Sequence, residues 1–433
     1  MEKIKILVVS GNCWNTNNCF GNSYSNIFSG LDEEVEIANL YAASGVVNDP
    51  TVKYAYRITE KELVVSMIKR HALIGSRVGI ESISGTGEDL TDTEKSLLRF
   101  AKLLRWRILY WGREVLWWLG KWNNEDFKKF IDDFQPDIIF VPIYGNIYVN
   151  RLQLVVKKLA GVPMLGYISD DNYTLKKFSL SPLFWIDRLN FRRYVKKVID
   201  ASDYLYVISE VQKNDYDRIF KKDCRILTKG SEFLEMPNYA TPEKPYQLFY
   251  AGNIGDARWK SLAKIGKAIQ KINKDGHQME LTIYTPTPLT AKMKKELNIP
   301  GCIKTAGRIP YAEVVKRQRQ ADILVHVEPT DLKNKFSAYH GLSTKLVDYM
   351  EVGKPILAYG LEMQASIAHL KKHDAALVAS TEDELVQNLR MLCNDQHILQ
   401  EYGEKAWKCG KKNHDIKSFQ RMLIDDFNEV LQR

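Results

Sequence analysis

The stretch of residues 340–360, HGLSTKLVDYMEVGKPILAYG, sets the interpretation of the second half of the chain. Ser343 and Thr344 predict a helix start, because hydroxyl side chains accept hydrogen bonds from the first unpaired backbone N–H groups. Gly353 ends the helix, and the apolar run ILAY that follows predicts a buried strand. A helix start already favours negative charge, and Lys345 adds a cation there. The stretch therefore predicts an anion-binding helix start beside a buried strand.

Length and composition indicate a soluble globular protein with two domains. At 433 residues, the chain is too long for one typical core. It is 45% hydrophobic and 27% charged, and no apolar run approaches the roughly 18 residues of a membrane span. We therefore expect a cytoplasmic protein. The six cysteines form no CxxC pair, which argues against a zinc ribbon or a disulfide framework. The net charge of +9 favours anionic partners such as nucleotides, lipid headgroups or nucleic acid.

Apolar runs alternate with helical patterns in both halves, which predicts an α/β fold with parallel sheets covered by helices. The predicted strands are IKILVVSG, VEIANLY, PDIIFVPIY, PMLGYIS and YLYVIS in the first half, and QLFYAGN, MELTIYTP, IKTAG, DILVHVEP, ILAYG and AALVAS in the second. Prolines and polar residues interrupt the pattern at 235–247, so we place a domain boundary there. The sequence predicts an N-terminal domain of residues 1–238 and a C-terminal domain of residues 239–433, whose last helix is a candidate to cross back to the first domain.

The spacing within 340–360 resembles that of the GT-B fold glycosyltransferases, in particular the retaining group 1 enzymes, whose signature is a Glu, seven residues and a second Glu. Here His340 stands at the first position and Asp348 at the second, followed by YMEVGKPIL where the family has A-M-A-x-G-x-P-V-V. The resemblance implies two Rossmann-like domains facing a central cleft, with a nucleotide-sugar donor on the second. It also implies that Asp348 binds the ribose hydroxyls. His340 departs from the family's acid, and the resemblance places it at the donor sugar as a catalytic candidate.

Other motifs of the second half are similar to the donor site of the same family. FYAGNIGDARWKSLAKIGKAI resembles the segment G-R-L-x-x-x-K-G, whose two cations hold the donor diphosphate. After Gly252, Asn253 stands at the position of the Arg, and Arg258 stands at that of the Lys. In IKTAGRIPYAEVV, the resemblance implies that the backbone of Arg308 and Ile309 meets the nucleotide base. The resemblance is strong from residue 247 to 360 and loose before that.

The residues of this predicted donor site have the chemistry that a diphosphate needs. Its oxygens require converging N–H groups and cations. The candidates are Ser343, Thr344, Lys345 and Arg258. Negative charge grows on the diphosphate as its bond to the sugar breaks, so stabilising that charge speeds the reaction. The sequence shows no metal-ligand cluster, and we expect cationic side chains to replace a metal, with no cofactor. The alternative is that the hydroxyls cap a structural helix and the cations are solvated surface charges.

Two parts of the first half are candidates for the acceptor side of the reaction. Asp170 and Asp171 follow the predicted strand PMLGYIS, where a carboxylate can orient an acceptor hydroxyl or act as a base. The family often has a His-Asp pair there; the alternative is that these residues cap the next turn. Gly21 and Asn22 belong to the predicted loop after the first strand and are expected to line the cleft. That loop lacks the GK[ST] of a P-loop, which argues against an ATPase.

The segment from Phe100 to Trp122, FAKLLRWRILYWGREVLWWLGKW, combines tryptophans with basic residues. Apolar side chains recur at helical spacing, with cations between them. They are Leu104, Ile108, Trp111, Val115, Trp118 and Trp122, interleaved with Arg105, Arg113 and Lys121. Tryptophan beside cations suits a membrane interface, which predicts a peripheral membrane contact. The alternative is a helix packed against the sheet, which also needs an apolar stripe.

The resemblance implies a cytoplasmic, metal-independent, hexosyltransferase-like glycosyltransferase of cell-surface polysaccharide biosynthesis. It would transfer a sugar, with retention, from a nucleotide-sugar to a glycan or lipid-linked acceptor at the membrane, with no nucleic-acid partner. One alternative is a nucleotide-sugar epimerase of the same architecture, which would consume no acceptor. A second is a non-catalytic nucleotide-sugar-binding or membrane scaffold protein, because His340 and Asn253 depart from the family motif.

Overall fold

The structure is a computed structural model that describes residues 2–16, 19–69, 72–79, 107–177, 179–237 and 242–433. The chain divides into two compact units. The first unit comprises residues 1–207, 216–225 and 420–433, and the second comprises residues 208–215 and 226–419. The sequence placed the boundary after residue 238, whereas residues 226–237 pack with the second unit. Residues 420–433 pack with the first unit, although they follow the whole of the second along the chain.

A sheet of eight strands forms the core of the first unit. The strands are β1 (Ile4–Ser10), β2 (Val35–Tyr41), β3 (Val52–Arg57), β4 (Ser76–Val78), β5 (Ile138–Pro142), β6 (Met164–Ile168), β7 (Tyr204–Val207) and β8 (Arg225–Ile226). Their order across the sheet is β4-β3-β2-β1-β5-β6-β7-β8, with β4 antiparallel to β3 and β1 parallel to both β2 and β5. The apolar run of β1 is buried because helices cover both faces of such a sheet.

The helices of this part of the chain follow the strands in the predicted alternation. They are α1 (Cys19–Phe28), α2 (Glu60–Ile68), α3 (Arg107–Leu119), α4 (Glu125–Phe134), α5 (Ile147–Ala160), α6 (Pro182–Ala201) and α7 (Glu210–Phe220). Helix α4 shows why such segments are helical: the side chain of Asn124 accepts the N–H of Phe127 at its start, and one face of the helix buries four apolar residues.

A sheet of six strands forms the core of the second unit. The strands are β9 (Tyr246–Ala251), β10 (Met279–Tyr284), β11 (Ile303–Ala306), β12 (Ile323–Val327), β13 (Ile356–Tyr359) and β14 (Leu377–Ala379). All neighbours pair in parallel, in the order β11-β10-β9-β12-β13-β14. The helices of residues 242–433 are α8 (Arg258–Ile272), a 3-10 turn (Asn273–Asp275), α9 (Ala291–Leu297), α10 (Tyr311–Gln320), α11 (Lys345–Val352), α12 (Ala365–Lys372), α13 (Glu382–Asn394), α14 (Gln396–Asn413) and α15 (Ile416–Gln432), and most of α15 belongs to the first unit.

The strand order places a ligand crevice in the second unit. From β9 the chain continues outward through β10 to β11 at one edge of the sheet. From β12, the neighbour of β9, it continues through β13 to β14 at the opposite edge. In open α/β sheets, ligands bind beyond the carboxyl ends of the strands at such a switch point. Gly252 and Glu328 are the first residues beyond β9 and β12, so the candidate site is sought around them.

The last residues of the chain are tied to the first unit by buried polar contacts. The side-chain N–H group of Gln420 donates to the carbonyl oxygens of Ile27 and Ser29, at 3.3 and 2.7 Å. The hydroxyl of Tyr206 donates to the carboxylate of Asp426 at 2.6 Å, and Asp426 is 1% exposed. Because buried polar groups need partners, these contacts make residues 420–433 part of the first unit's core.

Candidate functional site

Lys345 begins α11, and its side chain reaches the carboxyl end of β9. Its Nζ lies 3.1 Å from the carbonyl oxygen of Ala251 and 4.5 Å from the ring centre of Tyr250. Gly252 has a φ of +149°, and a Cβ added there would lie 2.5 Å from this Nζ. Glycine is therefore favoured at 252 for its conformation and because a side chain would displace the ammonium group.

Arg258 begins α8 and is held by a carboxylate that the sequence analysis missed. Its Nε and Nη2 donate to Oε2 of Glu328 at 3.2 and 2.9 Å. Glu328 is 2% exposed, and its Oε1 lies 3.3 Å from Nε2 of His326. Glu328 was read only as the end of the strand DILVHVEP. A charged residue that directly ends a buried apolar strand, next to Pro329, was the signal that could have found it.

The electrostatics of this cluster indicate a site prepared for an anion. Burial and, to a smaller extent, the nearby charge of Arg258 lower the pKa of Lys345 to about 8. Burial acts to raise the pKa of Glu328, but His326 and Arg258 outweigh it and hold that pKa below its usual value. The two cations are thus close enough to repel each other. An anion binding between them would relieve that repulsion, which fits the predicted diphosphate position.

The predicted capping role of Ser343 and Thr344 is wrong. Thr344 precedes α11 with helical backbone angles, φ −60° and ψ −24°, and its side chain makes no capping hydrogen bond. The N–H of Ser343 instead donates to the hydroxyl of Ser366 at 3.1 Å. A capping side chain requires an extended backbone at that residue, and Thr344 has already turned into the helix. The two residues remain candidates for donor binding through their backbone and hydroxyl groups.

Asp348, the predicted ribose ligand, lies one turn along α11 and is paired with Lys229. Burial raises the pKa of Asp348, although the charge of Lys229 opposes this. Tyr311 is 65% exposed, and its partial burial together with the charge of Asp348 raises its pKa. The structure therefore adds Lys229 and Tyr311 to the surroundings of the predicted ribose position, and the sequence analysis named neither.

His340 does not reach the surface of the site. It is 1% exposed, and its Nε2 lies 2.9 Å from the carboxylate of Asp215. Its carbonyl oxygen accepts the hydroxyl of Ser209 at 2.7 Å. The residue at the family's first acid position is thus an interior histidine held by a carboxylate, and the contact with a donor sugar that the resemblance implied has no support in this geometry.

The remaining predicted donor residues lie on loops beyond the strands of the second unit. Asn253 is exposed, and its side-chain oxygen accepts the N–H of Gly255 at 2.6 Å and the hydroxyl of Thr287 at 2.8 Å. It therefore fixes the loop between β9 and α8 in place of the cation that the family has there. Arg308 is exposed and Ile309 is half-buried, both between β11 and α10.

The two predicted aspartates after β6 differ in their environments. Asp171 is buried; its Oδ1 accepts the N–H of Tyr173 at 3.2 Å and that of Thr174 at 2.8 Å, and the carboxylate pairs with Arg188. It performs the turn-capping role given as the alternative. Asp170 is exposed at the carboxyl end of the sheet, and its charge helps to raise the pKa of Tyr167, for which burial is the larger cause.

Gly21 and Asn22 do not lie in a loop, as was predicted, but in the first turn of α1. Gly21 is buried, and a Cβ added there would meet the backbone of Asn15 at 2.1 Å. The glycine therefore permits close packing, which explains its presence without a ligand. Asn22 is exposed.

Helix α3 exposes only part of the predicted aromatic stripe. Trp118 is 67% exposed, and Trp111 and Val115 are also exposed. Trp122 is buried, contrary to its place in the stripe; its ring N–H donates to the carbonyl oxygen of Trp117, which is buried as well. The ring of Trp117 stacks on that of Tyr148 in α5, with 4.7 Å between ring centres, and the ring of Trp122 contacts Phe127 in α4, so both pack against neighbouring helices. Leu104, Arg105 and the side chain of Ile108 lie outside the described residues.

The described residues contain neither a metal-ligand cluster nor a membrane-spanning helix. In that part of the chain, no three or more His, Cys, Asp or Glu side chains are arranged to hold a metal ion. No helix among the same residues has the length and apolar character needed to cross a membrane.

Comparison with known proteins gives one family and several similar folds. Residues 245–395 match the family Glycosyl transferases group 1. No curated protein matches the chain. HepE of Anabaena, solved with UDP, has a TM-score of 0.58 at 10% identity, over 99% of this chain and 100% of HepE. Sucrose-phosphate synthase of Thermosynechococcus elongatus has a TM-score of 0.61 at 11% identity, over 100% of both chains. TarM of S. aureus has a TM-score of 0.54 at 13% identity, and the match spans 73% of this chain but only 58% of TarM.

The family match covers the strands and helices that carry Lys345, Arg258 and Glu328, and the structural matches extend over both units. The predicted fold class is confirmed: the chain has the GT-B fold of two Rossmann-like α/β domains, and the match to the glycosyl transferases group 1 family falls within the second unit.

Proposed function

We propose that the protein is a glycosyltransferase that moves a sugar from a nucleotide-sugar to a glycan or lipid-linked acceptor, with retention, in the biosynthesis of a cell-surface polysaccharide. The observation that carries the proposal is the pair of cations, Lys345 and Arg258, at the switch point of the second sheet. The group 1 match over residues 245–395 and the GT-B fold support it. HepE was solved with UDP-glucose, and TarM with UDP and a glycan, which supports a nucleotide-sugar donor.

In this proposal the donor lies along the carboxyl ends of β9, β11 and β12. Asp348 binds the ribose, and the backbone of Arg308 and Ile309 meets the base. Lys345 and Arg258 bind the diphosphate. When the bond between the sugar and the diphosphate breaks, its electrons pass to the diphosphate, and the two cations stabilise that charge in the transition state. We propose that they do so without a metal ion, and that the exposed Asp170 orients the acceptor hydroxyl.

An exposed apolar surface on the first unit, here called the α3–α6 surface, supports a lipid-linked acceptor. Its large exposed side chains lie on two helices and the turn before the second. They are Tyr110, Trp111, Val115, Trp118 and Leu119 of α3, Leu180, and Leu183, Ile186 and Leu189 of α6. The ring N–H of Trp111 donates to Asp187, which joins the two helices. Arg193 and Lys197 add exposed positive charge on α6. We propose a cytoplasmic protein that contacts anionic lipid here.

Donor hydrolysis is the direct test of the proposed activity. Water can attack a sugar whose leaving group is stabilised, so a glycosyltransferase releases nucleoside diphosphate slowly without its acceptor. The protein, incubated with a panel of nucleotide-sugars and EDTA, should release nucleoside diphosphate from one of them, and faster when membrane lipid extract is added. Asp348→Ala should abolish this donor recognition, because it removes the ribose contact.

The two alternatives give different results in the same assay. Interconversion of a nucleotide-sugar with no free nucleoside diphosphate would indicate the epimerase. If ligand-observed NMR detects binding of no nucleotide-sugar, the non-catalytic scaffold protein is the alternative that remains. Activity that requires a divalent cation, and is lost in EDTA, would contradict the metal-independent part of the proposal.

A further inference from the structure

The carboxylate of Glu328 has no part in the donor site that the sequence predicted, yet the fold fixes it beside that site. Its backbone N–H donates to the carbonyl oxygen of Tyr359 at 2.9 Å, in the neighbouring strand β13. Its carbonyl oxygen accepts the hydroxyl of Ser261 in α8 at 2.8 Å. The backbone of Glu328, immediately beyond the carboxyl end of β12, is therefore fixed by hydrogen bonds to β13 on one side and to α8 on the other.

The two oxygens of this carboxylate are divided between two side chains. Oε2 accepts Nε and Nη2 of Arg258, while Oε1 lies 3.3 Å from Nε2 of His326. His326 is 3% exposed and belongs to β12, so the carboxylate is anchored to a strand rather than to a loop. The contact uses one edge of the guanidinium group of Arg258. Its Nη1 has no hydrogen-bond partner among the described residues.

The contact also sets the charge of the site. Glu328 compensates one of the two cations, Arg258 and Lys345, so the cluster stays positive overall. A fully neutralised pair would attract a diphosphate weakly, whereas two uncompensated buried cations would destabilise the fold. One buried carboxylate thus balances stability against anion binding. Its own pKa is below the usual value, so it is poorly suited to act as a base.

We propose that Glu328 is a positioning residue for the donor diphosphate: it holds Arg258 so that the Nη1 edge of the guanidinium group is presented to the diphosphate beside Lys345. This rests on the proposed function. Without the contact, a long arginine side chain samples many rotamers and loses conformational entropy when it binds a ligand. An arginine already held by a buried carboxylate has lost most of that freedom before the ligand arrives.

The test is binding of phosphate-containing ligands to the whole protein by calorimetry. The probes are UDP, GDP, ADP, their nucleosides and inorganic pyrophosphate. Glu328→Gln should weaken the best nucleoside diphosphate and pyrophosphate by about tenfold and leave the nucleoside unchanged, because only the phosphate contacts depend on Arg258. The matched control is Glu280→Gln. Glu280 is another buried carboxylate of the second sheet, 6% exposed and paired with Lys304, and its substitution should leave all affinities unchanged.

A double-mutant cycle separates positioning from a direct contact. If Glu328 acts through Arg258, the double variant Glu328→Gln with Arg258→Ala should bind no more weakly than Arg258→Ala alone. Additive losses would overturn the proposal. Circular dichroism shows whether each variant is folded. If Glu328→Gln is not, Glu328→Asp keeps the charge but shortens the side chain, and it should show a smaller loss confined to the same ligands.

The outcomes distinguish this proposal from the one on which it rests. Wild-type protein that binds no nucleoside diphosphate and no pyrophosphate overturns both. Wild-type protein that binds them, with a folded Glu328→Gln or Glu328→Asp variant of equal affinity, overturns the role of Glu328 alone. A loss that is as large for the nucleoside as for the diphosphate also overturns it, since a general distortion of the site would have that effect.

Discussion

Two buried carboxylates follow buried strands in this protein, and each pairs with an arginine. Asp171, after β6 in the first unit, pairs with Arg188; Glu328, after β12 in the second, pairs with Arg258. Nε of Arg188 donates to the carbonyl oxygen of Thr174 at 2.9 Å, and its Nη2 donates to that of Asp171 at 3.0 Å. The carboxylate of Asp171 in turn accepts two backbone N–H groups and a hydroxyl. That carboxylate is saturated by its own turn and by Arg188, and the two residues are called the saturated pair below.

The pair in the second unit is not saturated in this way. The side chain of Arg258 is 25% exposed, against 5% for that of Arg188. A second cation lies near each arginine, Lys345 near Arg258 and Arg192 near Arg188, so a neighbouring cation does not separate the two pairs. The comparison shows that burial and pairing alone do not mark a functional carboxylate. What distinguishes the two is how much of the arginine side chain remains exposed to a ligand.

The largest expected effect concerns the saturated pair. Arg188→Ala should lower the free energy of unfolding by about 3–5 kcal/mol, because it leaves the carboxylate of Asp171 buried without its cation. Chemical denaturation followed by circular dichroism measures this. Arg258→Ala should cost less stability, since that side chain is more exposed. If the two variants lose equal stability, the contrast between a saturated and an unsaturated pair fails.

Loss of Lys345, the cation beside the pair of Arg258 and Glu328, should weaken ligand binding rather than lower the stability of the fold. Lys345→Ala should weaken nucleoside diphosphate binding by about tenfold or more, because a charge-assisted hydrogen bond contributes about 1.5–3 kcal/mol. Calorimetry measures the affinity. Lys264→Ala is the control: Lys264 belongs to α8 and pairs with Glu382. Equal affinities of Lys345→Ala and the wild type would remove the basis of the donor assignment.

The pH dependence of binding should reflect Lys345. Its pKa is lowered to about 8, so the ammonium group is charged below that pH and loses its proton above it. A bound diphosphate favours the charged form and raises the pKa, so binding takes up a proton above pH 8. The affinity should fall there by up to about tenfold per pH unit. Lys345→Arg should bind independently of pH in this range. A flat profile for the wild type would refute the coupling.

The smallest expected effect sharpens the comparison from the structural side. Thr174→Val removes the hydroxyl that donates to Asp171 and should lower the free energy of unfolding by about 1 kcal/mol. Nucleoside diphosphate affinity should be unchanged. Thermal and chemical denaturation measure the free energy of unfolding, and calorimetry measures the affinity for nucleoside diphosphate. A variant of full stability but altered affinity would assign the turn at Asp171 to the ligand rather than to the fold.

The sequence predicted the fold well because its strands are continuous apolar runs, and such runs have few alternatives to a buried parallel sheet. It also named both cations of the candidate site, Lys345 and Arg258, and their role in donor binding stays a prediction. It could not show that they lie close together, because this depends on β9 and β12 being neighbours. Glu328 was missed for a related reason: its partner Arg258 is 70 residues away along the chain, and only the folded sheet makes them adjacent.

The errors at single residues have local physical causes. A hydroxyl before an apolar run suggests a cap, but the backbone angles of Thr344 decide whether it can be one. Gly21 was assigned to a ligand loop, and instead it allows a helix to pack against the backbone of Asn15. His340 occupies the motif position of an acid, and its burial against Asp215 could not be read from spacing. In each case, the residue type was compatible with two environments.

The contacts of Gln420 and Asp426 with the first unit have a consequence for biosynthesis. A ribosome makes residues 1–207 first, and N-terminal domains usually fold while the rest of the chain is still being made. Here the buried hydroxyl of Tyr206 in the first unit donates to Asp426. That carboxylate is synthesised only after the entire second unit, so the hydrogen bond cannot form before then. The unit that begins to fold first is therefore the one that finishes last. Until the final helix arrives, the nascent first unit exposes the surface that this helix will cover, and transiently exposed surface of this kind is what chaperones protect.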